Sequence, residues 1–182
     1  MLRRRAARGK ESAARLGERR GIDPTPRPAG RLLWLHAASV GESVSLLPVL
    51  AALPAGLEVL LTTGTLTSAA LLARRLPETG LAGRVRHRFV PLDVPGWAAR
   101  FLDHWRPDAA GFVESELWPN LLAGCAARGI PVMLINARLS PRSFARWRRV
   151  PGLARAVFGG FARVLAQSEA DAARLAALGA PA

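Results

Sequence analysis

A serine and a glutamate three residues apart follow the first apolar run of the 182-residue chain. Ser39 and Glu42 stand in the segment H-A-A-S-V-G-E, where a buried strand is expected to give way to a helix. The spacing fits a capping box, in which both side chains satisfy backbone N–H groups at the helix start. It also fits a general base, because a helix N-terminus keeps a carboxylate ionised and able to accept a proton. The sequence leaves both interpretations open.

Two further carboxylates flank a serine after a later apolar run. Glu114 and Glu116 lie at the predicted carboxyl end of a strand, with Ser115 between them and Trp118 at the start of the next helix. An acidic pair beside an apolar ring is a place where a pKa can shift, which is typical of functional sites. The alternative is that Glu116 caps the helix and Trp118 packs in the core.

Small hydroxyl residues and a glycine follow the second predicted strand, in the segment T-T-G-T-L-T-S at 62–68. Such a turn before a helix can bind an anion, and it can equally be an ordinary capping loop. It is neither a P-loop nor a dinucleotide fingerprint, because both glycine patterns are absent. After the third strand, Asp93 is expected to cap the helix that follows it.

Arginine dominates the second half of the chain. No acidic residue occurs from 117 to 168, where arginines alternate with aromatic and aliphatic side chains, and the net charge of the whole chain is +13. This pattern suits nucleic acid, an anionic lipid surface or a solvated basic face. The one cysteine, Cys125, excludes internal disulfides and cysteine-based zinc sites, and the three histidines lack metal-ligand spacing.

The elements that must position these residues alternate between strands and helices. Apolar runs predict strands at 32–35, 58–61, 85–90, 109–113, 130–135 and 161–166, the third being more polar and therefore near an edge. Helices are predicted at 44–53, 67–76 (stopped by Pro77), 95–105, 117–128, after Ser140, and at 168–178. The expected fold is α/β, a Rossmann-like parallel sheet with helices on both faces. Ligands bind outside the carboxyl ends of such strands.

The first thirty residues differ in composition from the rest. Residues 1–20 are dense in arginine and residues 21–30 contain three prolines, so we predict a basic lead-in, helical or disordered, and a Pro-rich linker over 1–30. The domain is expected over 31–182. No signal-peptide pattern opens the chain, and the longest uncharged stretches, 15 residues each, are too short to span a bilayer. The default compartment is the cytoplasm.

Six segments, in order along residues 27–180, resemble the N-terminal half of the 3-deoxy-D-manno-octulosonic acid (Kdo) transferases of lipopolysaccharide synthesis. They are R-P-A-G-R-L-L-W-L-H-A-A-S-V-G-E, T-T-G-T-L-T-S-A, F-V-P-L-D-V-P, V-E-S-E-L-W-P-N, L-I-N-A-R-L-S-P-R-S-F and A-Q-S-E-A-D-A-A-R-L-A-A-L-G-A. Each segment alone is weak evidence, whereas six in family order are strong evidence.

The resemblance implies the N-terminal, acceptor-binding domain of a GT-B glycosyltransferase, whose C-terminal domain binds the donor CMP-Kdo. The implied acceptor is a bis-phosphorylated lipid A precursor (lipid IVA) at the cytoplasmic face of the bacterial inner membrane. An anionic membrane partner then explains the basic, aromatic face at 140–158 better than nucleic acid does. No cofactor and no metal are expected, since GT-B enzymes in general need no divalent metal for catalysis.

The resemblance also assigns roles to residues. The catalytic base of the family falls on Glu42, and a transition-state stabiliser falls on Glu114. The acceptor-binding positions are expected at Ser39, Gly41, Thr63, Thr65, Glu116, Asn136, Arg138 and Arg142. Family members usually begin with an apolar anchor, which this sequence replaces by a basic segment. The donor half is missing from the 182 residues, so we expect no transferase activity from them alone.

Two other hypotheses stay open at this point. A non-catalytic basic module that binds anionic lipid or nucleic acid would use the net charge and would give Glu42 and Glu114 no role. A GT-B glycosyltransferase of another specificity would share the fold, and only the motifs argue against it.

Overall fold

Six parallel strands form one sheet in the computed structural model, which describes residues 2–114 and 117–181. The strands are β1 (Leu32–Ala37), β2 (Glu58–Thr63), β3 (Val85–Phe89), β4 (Ala109–Val113), β5 (Val132–Ala137) and β6 (Arg163–Ala166). Their order across the sheet is β3-β2-β1-β4-β5-β6. The chain therefore runs outward from β1 to β3 and returns to lay β4 on the other side of β1. The point where the order reverses lies between β1 and β4.

Helices connect the strands and cover both faces of the sheet. They are α1 (Leu2–Ala7), α2 (Val40–Ala52), α3 (Leu66–Glu78), α4 (Pro95–Trp105), α5 (Pro119–Ala127), α6 (Pro141–Trp147), α7 (Pro151–Phe158) and α8 (Glu169–Ala176). No helix in the described residues is long and apolar enough to cross a bilayer. The predicted α/β class, with a Rossmann-like parallel sheet and β3 at an edge, is confirmed.

Two apolar layers hold the helices on the sheet. Leu35 and Leu61 point to one face, where they meet the buried leucines of α2 and α3. Trp34 and Phe112 point to the other face and pack with residues of α4, α5, α7 and α8. Side chains on successive strand positions alternate between the faces, so the nearly continuous apolar runs of β1, β2 and β4 fill both layers.

Two element boundaries differ from the prediction. Pro77 was expected to stop α3, but the helix continues to Glu78. Only the N–H of position 77 is lost there, and the N–H of Thr79 still bonds to Arg75 O at 3.1 Å. After α6, the chain forms a second helix, α7, that the sequence analysis missed. Pro151 at its first position was the available signal.

The segment from residue 11 to residue 27, here the N-terminal strap, packs along the edge strand β3. Glu18 Oε2 accepts the N–H of Phe89 at 2.6 Å, and Arg19 donates to Val90 O. Gly21 has a φ of 70° and lies so close to α4 that a Cβ there would meet Trp97 O at 2.2 Å. Residues 11–27 of the predicted lead-in and linker are thus docked on the sheet, because an open sheet edge leaves backbone groups that need partners.

Candidate active site

The carboxyl ends of the strands gather most of the predicted site residues at one edge of the sheet. Since all six strands are parallel, the loops that follow β1, β2, β4 and β5 emerge at that edge. The loop after β1 leads to Ser39, Gly41 and Glu42, and the loop after β4 begins with Glu114. These two loops lie on the two sides of the point where the strand order reverses, which is where ligands bind in open α/β sheets.

Glu42 lies in the first turn of α2 and is 9 % exposed. Ser39 Oγ accepts the N–H of Glu42 at 3.3 Å, and Glu42 Oε2 accepts the N–H of Ala38 at 2.8 Å. The first bond is the cap that the sequence predicts, whereas the return bond goes one residue earlier than a capping box requires. Within the described part of the chain, Oε1 of Glu42 makes no hydrogen bond, so one oxygen is held and the other is left for a ligand.

Glu42 and Glu114 follow neighbouring strands at the same edge of the sheet. The register of β1 and β4 pairs His36 with Phe112, which is the last pair of that ladder. Neighbouring strands are about 4.8 Å apart. The loop that begins with Glu114 therefore leaves the sheet beside the loop that leads to Glu42.

Two residues that are not glycine adopt left-handed backbone conformations where the adjacent strands β4 and β5 end. Glu114 has a φ of 60° and Asn136 has a φ of 54°. Asparagine tolerates this region, whereas for glutamate it costs of order 1 kcal/mol or more. The N–H of Glu114 donates to Ile135 O at 2.8 Å, which fixes the turn. Such strain occurs preferentially at functional sites.

Thr63, at the end of β2, is fully buried. Its Oγ1 lies 2.9 Å from Nε2 of His87, whose Nδ1 lies 3.4 Å from Nη2 of Arg15. Arginine can only donate, so Nδ1 accepts and the ring proton lies on Nε2, which donates to Thr63. Burial, and then the charges of Arg15 and Arg88, lower the pKa of His87 to about 3. This neutral histidine connects the N-terminal strap to the loop after β2.

The remaining loop residues predicted after β1 and β2 are accessible. Ser39 and Thr65 are exposed N-caps of α2 and α3, and Thr65 Oγ1 accepts the N–H of Ser68 at 3.1 Å. Gly41 is exposed, and a Cβ there would come no closer than 3.9 Å to Ser39 Oγ. The structure thus places Ser39, Gly41 and Thr65 where a ligand can reach them.

Asn136, Arg138 and Arg142 continue the site along β5. Asn136 is half-buried, and Arg138 and Arg142 are exposed. Between the arginines, the N–H of Leu139 donates to Asp171 Oδ1 at 2.8 Å. Hydrogen bonds from Ser168 and from the Leu139 backbone lower the pKa of Asp171 to about 2, so the loop that carries Arg138 is held by an ionised carboxylate.

One predicted position lies outside the described residues, and one prediction was wrong. Glu116, expected to bind the acceptor, and its neighbour Ser115 are not described. Asp93 was expected to cap the helix that follows it, α4, but that helix has no side-chain cap. Asp93 instead accepts backbone N–H groups of α5, whose N-cap residue Trp118 has no acceptor of its own.

Sequence reasoning also missed a buried aromatic support beneath the site. His36 on β1 is fully buried, with Nδ1 3.1 Å from Thr62 O and 3.0 Å from Thr62 Oγ1. Its ring packs edge-on against Phe112 and Trp118, with centroids 5.7 Å apart in both pairs. The position of His36 immediately before the Ser39–Glu42 loop was the available signal. No cluster of three or more potential metal ligands occurs among residues 2–114 and 117–181.

The α6–α7 hairpin combines exposed apolar and basic side chains. Val150 is 45 % exposed and Leu153 is 57 % exposed. Arg146, Arg149 and Arg155 are exposed on the same hairpin. Basic side chains beside exposed apolar ones are typical of a surface that binds an anionic and partly apolar partner.

Comparison with known proteins identifies relatives of one kind. A family model described as 3-deoxy-D-manno-octulosonic-acid transferase (kdotransferase) matches residues 14–182. A probable mitochondrial 3-deoxy-D-manno-octulosonic acid transferase of Arabidopsis thaliana is 40 % identical over 149 residues, which are 80 % of this chain and 32 % of the relative. The 3-deoxy-D-manno-octulosonic acid transferase of Bordetella pertussis is 38 % identical over 156 residues, which are 85 % and 36 % of the two chains. The 3-deoxy-D-manno-octulosonic acid transferase of Rickettsia bellii is 34 % identical over 174 residues, which are 94 % of this chain and 40 % of the relative. The chain thus spans about a third of the length of these relatives.

Proposed function

This chain belongs to the 3-deoxy-D-manno-octulosonic acid transferase family, and we propose that it is the acceptor-binding domain of an enzyme that transfers Kdo in lipopolysaccharide synthesis. The proposed donor is CMP-Kdo, bound by the part of the enzyme that this chain does not cover. The proposed acceptor is a bis-phosphorylated lipid A precursor, lipid IVA, at the cytoplasmic face of the inner membrane.

The observation that carries the proposal is the placement of two glutamates across the reversal point of the sheet. Glu42 follows β1, Glu114 follows the neighbouring strand β4, and the N–H of Ala38 binds Glu42 Oε2. If Glu42 had only a structural role, neither its unbonded Oε1 nor the strained backbone at Glu114 would be required. Together they support a carboxylate site that is open on one side.

In the proposed reaction Glu42 is the general base. Oε1 takes the proton from the primary hydroxyl of the acceptor as that oxygen attacks the anomeric carbon of Kdo. The bond from that carbon to the CMP phosphate oxygen breaks, CMP leaves, and the configuration at the carbon inverts. The proton ends on Glu42. The Ala38 N–H holds Oε2 during this step, which orients Oε1.

Glu114 is proposed to stabilise the transition state, in which positive charge develops on the sugar ring. We propose that Ser39, Gly41, Thr65, Asn136, Arg138, Arg142 and Glu116 bind the acceptor. Thr63, whose hydroxyl is engaged by His87, contributes by fixing the loop that carries Thr65. No divalent metal takes part in the proposed step, as the resemblance to GT-B enzymes implies.

The α6–α7 hairpin is proposed to lie against the anionic membrane surface that contains the acceptor. Exposed Leu153 and Val150 would enter the lipid headgroup region while the arginines hold phosphates. A nucleic-acid-binding module would use the same arginines. A binding experiment must therefore distinguish the membrane-binding domain from such a module.

The test is a comparison of two ligands. The chain is incubated with vesicles that contain lipid IVA and, separately, with random duplex DNA, each at two salt concentrations. We expect binding to the vesicles that persists at high salt, because apolar contacts add to the charge contacts, and duplex binding that falls steeply with salt. Preference for the duplex would reject the proposal in favour of the nucleic-acid module.

A further inference from the structure

The N-cap residue of helix α5 makes no side-chain cap among the residues that the structure describes. That residue is Trp118, which offers no side-chain acceptor, and Pro119 occupies the first helical position. The first N–H groups of a helix need partners from elsewhere. This helix start matters because the loop that ends at it begins with Glu114.

Asp93, 27 residues earlier in the chain, supplies the missing cap. Its Oδ2 accepts the N–H of Asn120 at 3.1 Å, and its Oδ1 accepts the N–H of Leu121 at 3.0 Å. Asn120 Nδ2 returns bonds to Asp93 O at 2.8 Å and to Oδ2 at 3.2 Å. A carboxylate at a helix N-terminus also interacts favourably with the helix dipole. Four hydrogen bonds thus connect the loop after β3 to the start of α5.

The Glu114 loop is therefore anchored at both ends. At its beginning the N–H of Glu114 bonds to Ile135 O at 2.8 Å, and at its end Asp93 fixes the first turn of α5. Residues 115–118 separate Glu114 from Pro119 in the sequence, so we expect a displacement of the start of α5 to reach Glu114 through this short stretch of chain. The ring of Trp118, edge-on to His36 at 5.7 Å, strengthens the far anchor.

We propose that Asp93 is a positioning residue for Glu114, acting through the cap of α5 and without contact with the substrate. The role in turnover depends on the function proposed above for Glu114, whereas the structural coupling does not. An exposed ion pair between Asp103 on α4 and Arg128 after α5 connects the same two helices and provides a matched control.

The coupling is tested by hydrogen exchange on the full chain. Asp93→Ala is expected to speed exchange about tenfold at Asn120 and Leu121, the size of effect that follows the loss of a helix cap, and also at the amide of Glu114. Asp93→Asn, which keeps an acceptor, should restore much of the protection. Asp103→Ala should change none of these amides. Unchanged exchange at Glu114 in Asp93→Ala would overturn the proposal.

The positioning role is tested in an active transferase, made by joining this chain to the part of the Bordetella pertussis relative that it does not cover (the fusion enzyme). Asp93→Ala should lower kcat about tenfold to a hundredfold with little change in KM. In a Glu114→Gln background, Asp93→Ala should lower kcat no further, because both substitutions remove the same contribution to turnover. Additive losses would mean a general structural role. If Glu42→Gln and Glu114→Gln leave turnover intact while the exchange result holds, the proposed function fails and the coupling survives.

Discussion

The backbone N–H of Ala38 bonds to Oε2 of Glu42 at 2.8 Å, which leaves Oε1 of that carboxylate unbonded within the described residues. This one contact joins two interpretations that the sequence presents as alternatives. The glutamate serves the start of α2 and at the same time keeps one oxygen without a hydrogen-bond partner among the described residues. A cap and a base are therefore compatible in one side chain.

His87 should make the protein less stable as the pH falls below neutral. Its pKa is lowered to about 3 in the folded state from about 6.5 in the unfolded chain, so between these values the unfolded chain binds more protons. Stability is complete above pH 6.5 and is lost as the pH falls toward 3. We expect the Tm to drop by roughly 5 °C between pH 7 and pH 5 from this residue.

The measurement compares thermal unfolding of the wild type and His87→Gln across pH 4–8. Glutamine can still donate to Thr63 but does not titrate, so the pH dependence of its Tm should be shallower than that of the wild type. Parallel curves for the two proteins would show that the ring is not held neutral.

Asp171 should stabilise the loop that carries Arg138 through its ionised form. Its pKa is lowered to about 2, so its contribution is present above pH 4 and disappears as the pH falls from about 4 to about 2. Asp171→Ala removes the acceptor of the Leu139 N–H and of the hydroxyl of Ser168, the residue that caps α8, and should lower the free energy of unfolding by about 1–2 kcal/mol at pH 7. Urea unfolding at pH 7 and at pH 2.5 measures both effects. An equal difference between wild type and variant at the two pH values would contradict this assignment.

Gly21→Ala should release the N-terminal strap from the sheet. A Cβ at this position would meet Trp97 O at 2.2 Å, and the φ of 70° disfavours any side chain. We expect much faster tryptic cleavage within residues 11–27 and a loss of about 2 kcal/mol or more in the free energy of unfolding.

Gly30→Ala is the control for that prediction. Gly30 has a φ of 79°, but a Cβ there would have no neighbour within 4 Å. Gly30→Ala should therefore lower the free energy of unfolding by about 1 kcal/mol through backbone strain alone, and should not release the strap. Equal cleavage rates in the two variants would indicate that the strap is not held by its contact with α4.

The sequence predicted the sheet well because its strands are short apolar runs bounded by polar loops. The prediction of β4 at 109–113 and of α4 at 95–105 agrees with the structure at both ends. Long-range partners were harder to predict. Asp93 has the sequence context of a cap for α4, and only the packing of α4 beside α5 shows that it caps α5 instead.

The docking of the N-terminal strap was not predictable for the same reason. Arginine and proline at residues 1–30 indicate a solvated segment, whereas the contacts that hold it depend on backbone groups of β3 that composition does not report. Likewise, Thr63 was predicted in the polar loop after β2, whereas it is the buried last residue of that inner strand and its hydroxyl contacts His87.

The role of Glu42 as the general base is tested most directly by the turnover of the Glu42→Gln variant in the fusion enzyme, with CMP-Kdo and lipid IVA as substrates. Glutamine keeps an oxygen that can accept the Ala38 N–H, so the variant should fold with a Tm close to that of the unmodified fusion. We predict that kcat falls by about 10²–10⁴-fold, because the group that accepts the proton is gone. A folded Glu42→Gln variant with a kcat near that of the unmodified fusion would contradict it.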